Sequence, residues 1–306
     1  MIKQLKSTIN SYFVGKEDVV DNILICLLSG GHVLLEDVPG VGKTTAAKTL
    51  AKAIACSFGR IQFTPDTLPS DVTGLSVYDM ASGRFVYREG AVMHQILLAD
   101  EINRTSPKTQ ASLLEAMEEH QVTVDGNVYP LPNPFMVIAT QNPIEYLGTY
   151  PLPESQMDRF MMRLTLGYPE RESELLMARN YLDGKRVETV PSVLNTDDIL
   201  KMMDEVSKVH VSDGLLGYAR NIIDMTRKEE KYVTGASPRA LLHLIRASQG
   251  RAYLEGRDYV KPDDMKAVAV HVLYHRLSLT AEARLLKEDA EKLLENLVLH
   301  AVIPME

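Results

Sequence analysis

The stretch Asp37-Val38-Pro39-Gly40-Val41-Gly42-Lys43-Thr44-Thr45 follows the apolar run His32-Val33-Leu34-Leu35 and leads into Ala46-Ala47-Lys48-Thr49-Leu50-Ala51, a composition that favours helix. Strand, glycine-rich turn and helix in that order make a concave anion site, because successive backbone N–H groups and the positive end of the helix converge on it. In such a loop Lys43 reaches the β- and γ-phosphates of a nucleoside triphosphate, and the Thr44 hydroxyl is placed on Mg²⁺. Pro39, Gly40, Val41, Gly42, Lys43, Thr44 and Thr45 are the expected phosphate-binding set. The generic pattern begins with glycine, and Asp37 stands in that place. A carboxylate aimed into the loop would repel phosphate, so its side chain is expected to turn outward or to cap a neighbouring N–H.

Downstream, Ile96-Leu97-Leu98-Ala99 is a continuous apolar run ending in Asp100-Glu101. Carboxylates at the C-terminal end of a strand lie where open α/β sheets bind ligands. Asp100 suits a metal ligand, and Glu101 suits the group that orients and polarises the water attacking the γ-phosphate. Taken alone, an acidic pair after a strand is commonly a helix cap; following a phosphate loop, the pair points to catalysis. Ala139-Thr140-Gln141-Asn142-Pro143 ends the next apolar run, which brings Asn142 toward the same crevice, with an Asn-Pro turn as the plainer alternative.

Further strands are expected at Gly59-Arg60-Ile61-Gln62-Phe63, Phe135 to Ala139 and Met161 to Leu166, and alternation of strands with helices argues for a parallel sheet covered on both faces. Two hairpins interrupt it. One comprises Leu75-Ser76-Val77-Tyr78 and Arg84-Phe85-Val86-Tyr87; the other is built on the Asp125-Gly126 turn. From Glu170 onward the pattern is helical, with starts marked at Thr196-Asp197-Asp198, Ser237-Pro238 and Lys261-Pro262-Asp263-Asp264.

At 306 residues, with 45% hydrophobic and 24% charged residues, the chain has the size and composition of a two-domain globular protein. Its net charge of −8 and lack of a basic stripe argue against nucleic acid as a partner. No apolar stretch approaches the ~18 residues of a membrane span, and Met1 to Lys6 leads into no apolar signal core, so a cytoplasmic location without membrane insertion is expected. Cys26 and Cys56 sit in apolar helical patterns and read as buried free thiols. His271 and His275 have the spacing of a metal pair but lack the accompanying Glu, and read as helix-face residues.

Taken together, Pro39 to Thr44, Leu97 to Arg104 and Ala139 to Pro143 resemble the MoxR family of AAA+ ATPases, supported by Leu68 to Gly74, Leu152 to Phe160 and Gly235 to Ala240. The resemblance implies an AAA+ P-loop αβα core with a parallel five-stranded sheet over residues 1–168, carrying hairpin insertions at about 74–88 and 121–130. A connecting helix and linker over 169–195 and an all-helical lid over 196–306 would follow. It further implies ATP and Mg²⁺ as cofactors, Asn142 as sensor 1, Arg239 as sensor 2, and Arg159 as an arginine finger acting on a neighbouring subunit's nucleotide, with Arg163 a second candidate. Val14-Gly15 resembles the adenine-contacting segment, and the hairpins resemble insertions facing a ring pore, where Tyr78, Phe85, Tyr87 and Tyr129 either meet a client or pack across strands. Expected partners are copies of the chain in a hexameric ring, a von Willebrand factor A domain protein and an unidentified client. Two other readings stay open: the ATPase subunit of a magnesium chelatase, and an ATP-gated interaction module with little hydrolysis.

Overall fold

A computed structural model describes residues 1–38, 40–142 and 149–303; Pro39, and Pro143 of the Asn-Pro turn, lie outside the described residues. Its helices are α1 (Ile2–Tyr12), α2 (Glu17–Leu28), α3 (Lys43–Ala53), α4 (Pro69–Thr73), α5 (Pro107–Glu119), α6 (Glu154–Met157), α7 (Arg171–Leu182), α8 (Thr196–Ser207), α9 (Asp213–Lys228), α10 (Pro238–Leu254), α11 (Pro262–Leu273), α12 (Ala281–Leu285) and α13 (Ala290–His300). The strands are β1 (Val33–Glu36), β2 (Phe58–Gln62), β3 (Gly74–Asp79), β4 (Arg84–Glu89), β5 (Ile96–Asp100), β6 (Gln121–Val124), β7 (Asn127–Pro130), β8 (Met136–Gln141), β9 (Met162–Leu164), β10 (Tyr232–Thr234) and β11 (Ser278–Leu279).

Five strands form a sheet in the order β2-β5-β8-β1-β9, with β2-β5, β5-β8 and β8-β1 paired in parallel. Val33 to Leu35, Ile96 to Ala99 and Met136 to Ala139 are all without solvent exposure. Burial on both faces is why these runs are continuously apolar instead of alternating. The last strand is shorter than Met161 to Leu166, because the Leu166 and Gly167 N–H groups donate to Asp37 Oδ2 (2.6 Å each).

By packing, the chain divides into two compact units. The first comprises Met1–Asp21, His32–Leu152 and Leu164–Leu200, and it contains both hairpins. In β6-β7 the turn residues Asp125 and Gly126 have φ of 50° and 79°, the left-handed pair that a two-residue hairpin turn needs. Tyr87 stacks on Tyr129 at 3.9 Å, and Tyr78 meets Phe85 edge-on at 5.4 Å although both remain exposed. The second unit comprises Asn22–Gly31, Pro153–Arg163 and the chain from Lys201 on. A single cut near residue 168 thus follows chain order, whereas packing assigns two earlier segments to the C-terminal helices. That helical region also carries a short antiparallel pair, β10-β11, whose two and three residues are too few to show a period in sequence.

Cys26 and Cys56 are free and buried, as expected, but Cys56 lies past the end of α3 and not within a helix. No helix among the described residues is long and apolar enough to cross a membrane.

His32 braces the sheet from within. Its Nδ1 accepts the Val137 N–H (3.0 Å) and its Nε2 donates to the Met117 carbonyl (3.2 Å), so the buried ring is neutral. Burial lowers its pKa to about 4, with the Met117 bond opposing and the nearby His120 adding to the shift. The unfolded chain, with a His pKa near ~6.5, therefore binds the proton more readily. Stability from this group is present above pH ~6.5 and is lost as pH falls toward ~4, on the order of 3 kcal/mol in all. Urea unfolding at pH 7 and pH 4.5 should show that loss, and His32→Gln should flatten it. An unchanged pH dependence in the variant would rule His32 out as its source.

Candidate nucleotide site

The phosphate loop leaves β1 and closes on α3 through Gly40 and Gly42, whose φ values of 88° and 95° place them in the left-handed region that suits glycine. Asp37 does not point at the anion site. Its carboxylate is buried, accepting the Val38 N–H at Oδ1 (2.9 Å) and the Leu166 and Gly167 N–H groups at Oδ2 (2.6 Å each). Three N–H donors offset the cost of burying the charge. The capping of a neighbouring N–H was expected; the tie to residues 166 and 167, some 130 positions away, has no local sequence signal.

Lys43 Nζ donates to the Asp37 carbonyl (2.6 Å). Burial lowers the Lys43 pKa, while the charges of Asp37, Asp100 and Glu101 raise it. The ammonium is thus held at the loop by groups of opposite charge, ready to exchange a carbonyl for a phosphate oxygen.

At the end of β5, Asp100 and Glu101 are fixed by one buried hydroxyl. Thr140 Oγ1 donates to Asp100 Oδ1 (2.6 Å) and accepts the Glu101 N–H (2.9 Å). Asp100 Oδ2 also pairs with Arg60 (2.7 Å), and Glu101 Oε2 accepts from Gln62 Nε2 (2.7 Å) and Arg104 (3.2 Å). Glu101 has φ 56° and ψ 50°, an uncommon conformation for a residue with a side chain and one that concentrates at functional sites. Arg60, Gln62 and Thr140 are site residues that sequence reasoning missed. Arg60 and Gln62 alternate with the buried Ile61 on β2, a pattern that shows they face away from the core but not what they face.

These groups surround a cavity of about 360 Å³ whose described lining is Gly40, Gly42, Lys43, Thr44, Arg60, Gln62, Asp100, Glu101 and Asn142. Seven of the expected residues therefore meet in one place. Asn142 is buried, and its carbonyl accepts from Asn103 Nδ2 (3.4 Å). Val41 is buried and Thr45 occupies the first turn of α3, and neither is part of that lining. The Val14-Gly15 turn follows Phe13, and a Cβ on Gly42 would come within 3.3 Å of the Phe13 ring, so the turn is rooted beside the loop. Gly15 has φ 76°, and a Cβ there would collide with Ser173.

Arg159 and Arg239 belong to the second unit, as does Arg163, whose guanidinium lies 4.4 Å from the centre of the Tyr274 ring. His271 lies on α11, and the buried His275 directs Nε2 at the Phe160 carbonyl (3.1 Å).

The donor set fits Mg²⁺ carried by a nucleotide. Among the described residues no three His, Cys, Asp or Glu side chains cluster as a metal cage. Mg²⁺ characteristically takes one or two protein oxygens and completes its octahedron with phosphates and water, and Thr44 and Asp100 offer hard oxygens in the same cavity.

Residues 32–162 match the model of the ATPase family associated with various cellular activities (AAA), and residues 224–297 match the AAA lid domain. The chain is 42% identical to the chaperone MoxR1 of Mycobacterium tuberculosis over 94% of its own length and 78% of that protein's. It is 30% identical to the MoxR protein of Methylorubrum extorquens, covering 87% of this chain and 84% of the relative. Among solved structures, that of a proposed ATPase from Cytophaga hutchinsonii superimposes with a TM-score of 0.93 at 40% identity, covering 100% of this chain and 95% of the other.

Proposed function

Because this chain belongs to the MoxR family of AAA ATPases, we propose that it hydrolyses Mg·ATP in the cavity between the phosphate loop and the end of β5, and uses the cycle to remodel partner proteins as a chaperone. The observation that supports this most is the convergence of Lys43, Thr44, Asp100, Glu101 and Asn142 on one cavity, with Thr140 holding both carboxylates.

In this reading the backbone N–H groups of the loop and Lys43 hold the β- and γ-phosphates. Thr44 and Asp100 would hold Mg²⁺, which would neutralise charge on the phosphate oxygens. Glu101 and Asn142 orient a water in line with the γ-phosphate, and Glu101 accepts its proton. Arg159 of a neighbouring subunit and Arg239 supply guanidinium charge where the transition state spreads negative charge. Residues 1–168 then act as the nucleotide-binding core and 196–306 as the lid.

The proposal extends to a hexameric ring of copies, a von Willebrand factor A domain partner, and maturation or metal loading of a client complex. For the chaperone role the support is the kinship with a relative named a chaperone; the ring and the von Willebrand factor A domain partner are carried by the family resemblance of the motifs alone. The test is phosphate release from ATP. Turnover is expected with Mg²⁺ and is expected to disappear with excess EDTA, returning when Mg²⁺ is restored. No Mg²⁺-dependent phosphate release at concentrations where the chain assembles would contradict the hydrolase reading and favour a nucleotide-gated binding module.

A further inference from the structure

The residues on either side of Arg159 are gripped by one buried guanidinium. Arg276, 6% exposed, follows α11 in the turn Tyr274–Arg276. Its Nε donates to Asp158 Oδ1 (2.6 Å), and one terminal nitrogen donates to the Asp158 carbonyl (3.1 Å), the Phe160 carbonyl (2.6 Å) and His243 Nδ1 (2.6 Å). The other terminal nitrogen reaches the carbonyls of Met161 (3.3 Å) and Val272. The Asp158 carboxylate meanwhile accepts from Ser237 Oγ (3.1 and 3.0 Å), and the same hydroxyl caps α10 by accepting the Ala240 N–H (3.1 Å). Arg239 is the second residue of α10.

Two side chains expected to act on phosphate are thus rooted in one polar knot, all within the second unit. Burial lowers the Arg276 pKa, the bond to Asp158 opposes this, and the Arg239 charge lies near enough to add to the lowering. A buried ion pair contributes little net stability, because desolvation offsets attraction; what it supplies is geometry. Geometry is what an arginine needs if its flexible stem is to deliver a guanidinium to a transition state.

We propose that Asp158 and Arg276 are positioning residues for ATP hydrolysis, their ion pair and Ser237 setting the roots of Arg159 and Arg239 as a single block. The proposal deepens the ATPase reading above and rests on it. Arg159 and Arg239 would then be placed together, so that loosening the knot weakens both guanidinium contributions without touching the cavity.

The test is a double-mutant cycle on phosphate release by the full chain, with ATP affinity measured alongside. Asp158→Asn keeps the shape and removes the charge; it is expected to lower kcat about 10- to 100-fold, with KM and ATP affinity within about threefold of the parent. Adding Asp158→Asn to Arg159→Ala should lower kcat by much less than Asp158→Asn does alone, because the positioning residue acts partly through a side chain already removed. Arg276→Lys keeps the charge but cannot reach all the carbonyls. It carries the same expectation, and it decides the matter if Asp158→Asn does not fold. As a control, Asp264 is more deeply buried than Asp158 (side chains 5% and 18% exposed) and is paired with Arg257 (2.5 and 2.7 Å) in the same unit, and Asp264→Asn should cost stability and leave kcat unchanged. Parental kcat in Asp158→Asn and Arg276→Lys beside a crippled Arg159→Ala would overturn the positioning role alone, as would losses that simply multiply. Parental kcat in Arg159→Ala would overturn this proposal together with the finger reading beneath it.

Discussion

Glu101→Gln is expected to bind Mg·ATP with near-parental affinity and to release phosphate about 10²- to 10⁴-fold more slowly. The amide keeps the shape of the carboxylate and an oxygen that can still accept from Gln62, whose Nε2 sits 2.7 Å from Glu101 Oε2. The Thr140 hydroxyl, bonded to the backbone N–H of residue 101 at 2.9 Å, holds the chain in place regardless of the side chain. What disappears is basicity toward the attacking water. Rapid-quench or phosphate-sensor kinetics at saturating ATP separate the two effects. Turnover within a few-fold of the parent, about 1 kcal/mol of barrier, would remove Glu101 from the proton-accepting role.

Arg159→Ala is expected to leave nucleotide affinity nearly intact while cutting turnover by as much as ~10³-fold, since a finger stabilises charge that develops only in the transition state. Its backbone is anchored by the Asp158 and Phe160 carbonyls through Arg276. Truncating a side chain that is only half-buried itself should therefore cost little stability. If Arg159 acts on a neighbour's nucleotide, activity per subunit should rise with protein concentration in the parent. Mixtures of Arg159→Ala with Glu101→Gln should then recover activity, because some interfaces join an intact Glu101 to an intact Arg159. No recovery in mixtures shown to co-assemble, with turnover independent of concentration in the parent, would leave Arg159 without a role in trans.

What was legible in the sequence is what local chemistry dictates. Gly40, Gly42 and Lys43 announce a phosphate loop because backbone conformation and charge are specified within six residues. Asp125-Gly126 announces a hairpin because few residue pairs accept two left-handed conformations, and the uninterrupted runs at Leu34, Leu97 and Val137 announce central strands because both faces are buried. What was not legible is carried by contacts between distant positions. Arg60 reaches Asp100 through the pairing of β2 with β5, Asp37 reaches Leu166 across 129 positions, and Arg276 reaches Asp158 across 118. Arg60 and Arg276 look unremarkable among their sequence neighbours, and Asp37, conspicuous in a glycine's place, gives no local sign of Leu166; each partner exists only once the sheet order and the turn after α11 are formed. The shortened β9 has the same origin, since its expected continuation donates to a carboxylate instead of to a strand.

The central claim is that the loop from Asp37 to Thr45 and the end of β5 form a nucleoside triphosphate site. Lys43 is the one cationic residue in that loop, and its Nζ already sits on the loop carbonyl of Asp37 at 2.6 Å. Isothermal titration of ATP with Mg²⁺ into the parent and into Lys43→Ala tests the claim most directly. The account predicts saturable binding in the parent and an affinity about 10- to 100-fold weaker in the variant, the loss of a charge-assisted hydrogen bond to phosphate. Equal affinity in the two proteins, or no binding by the parent, would contradict it.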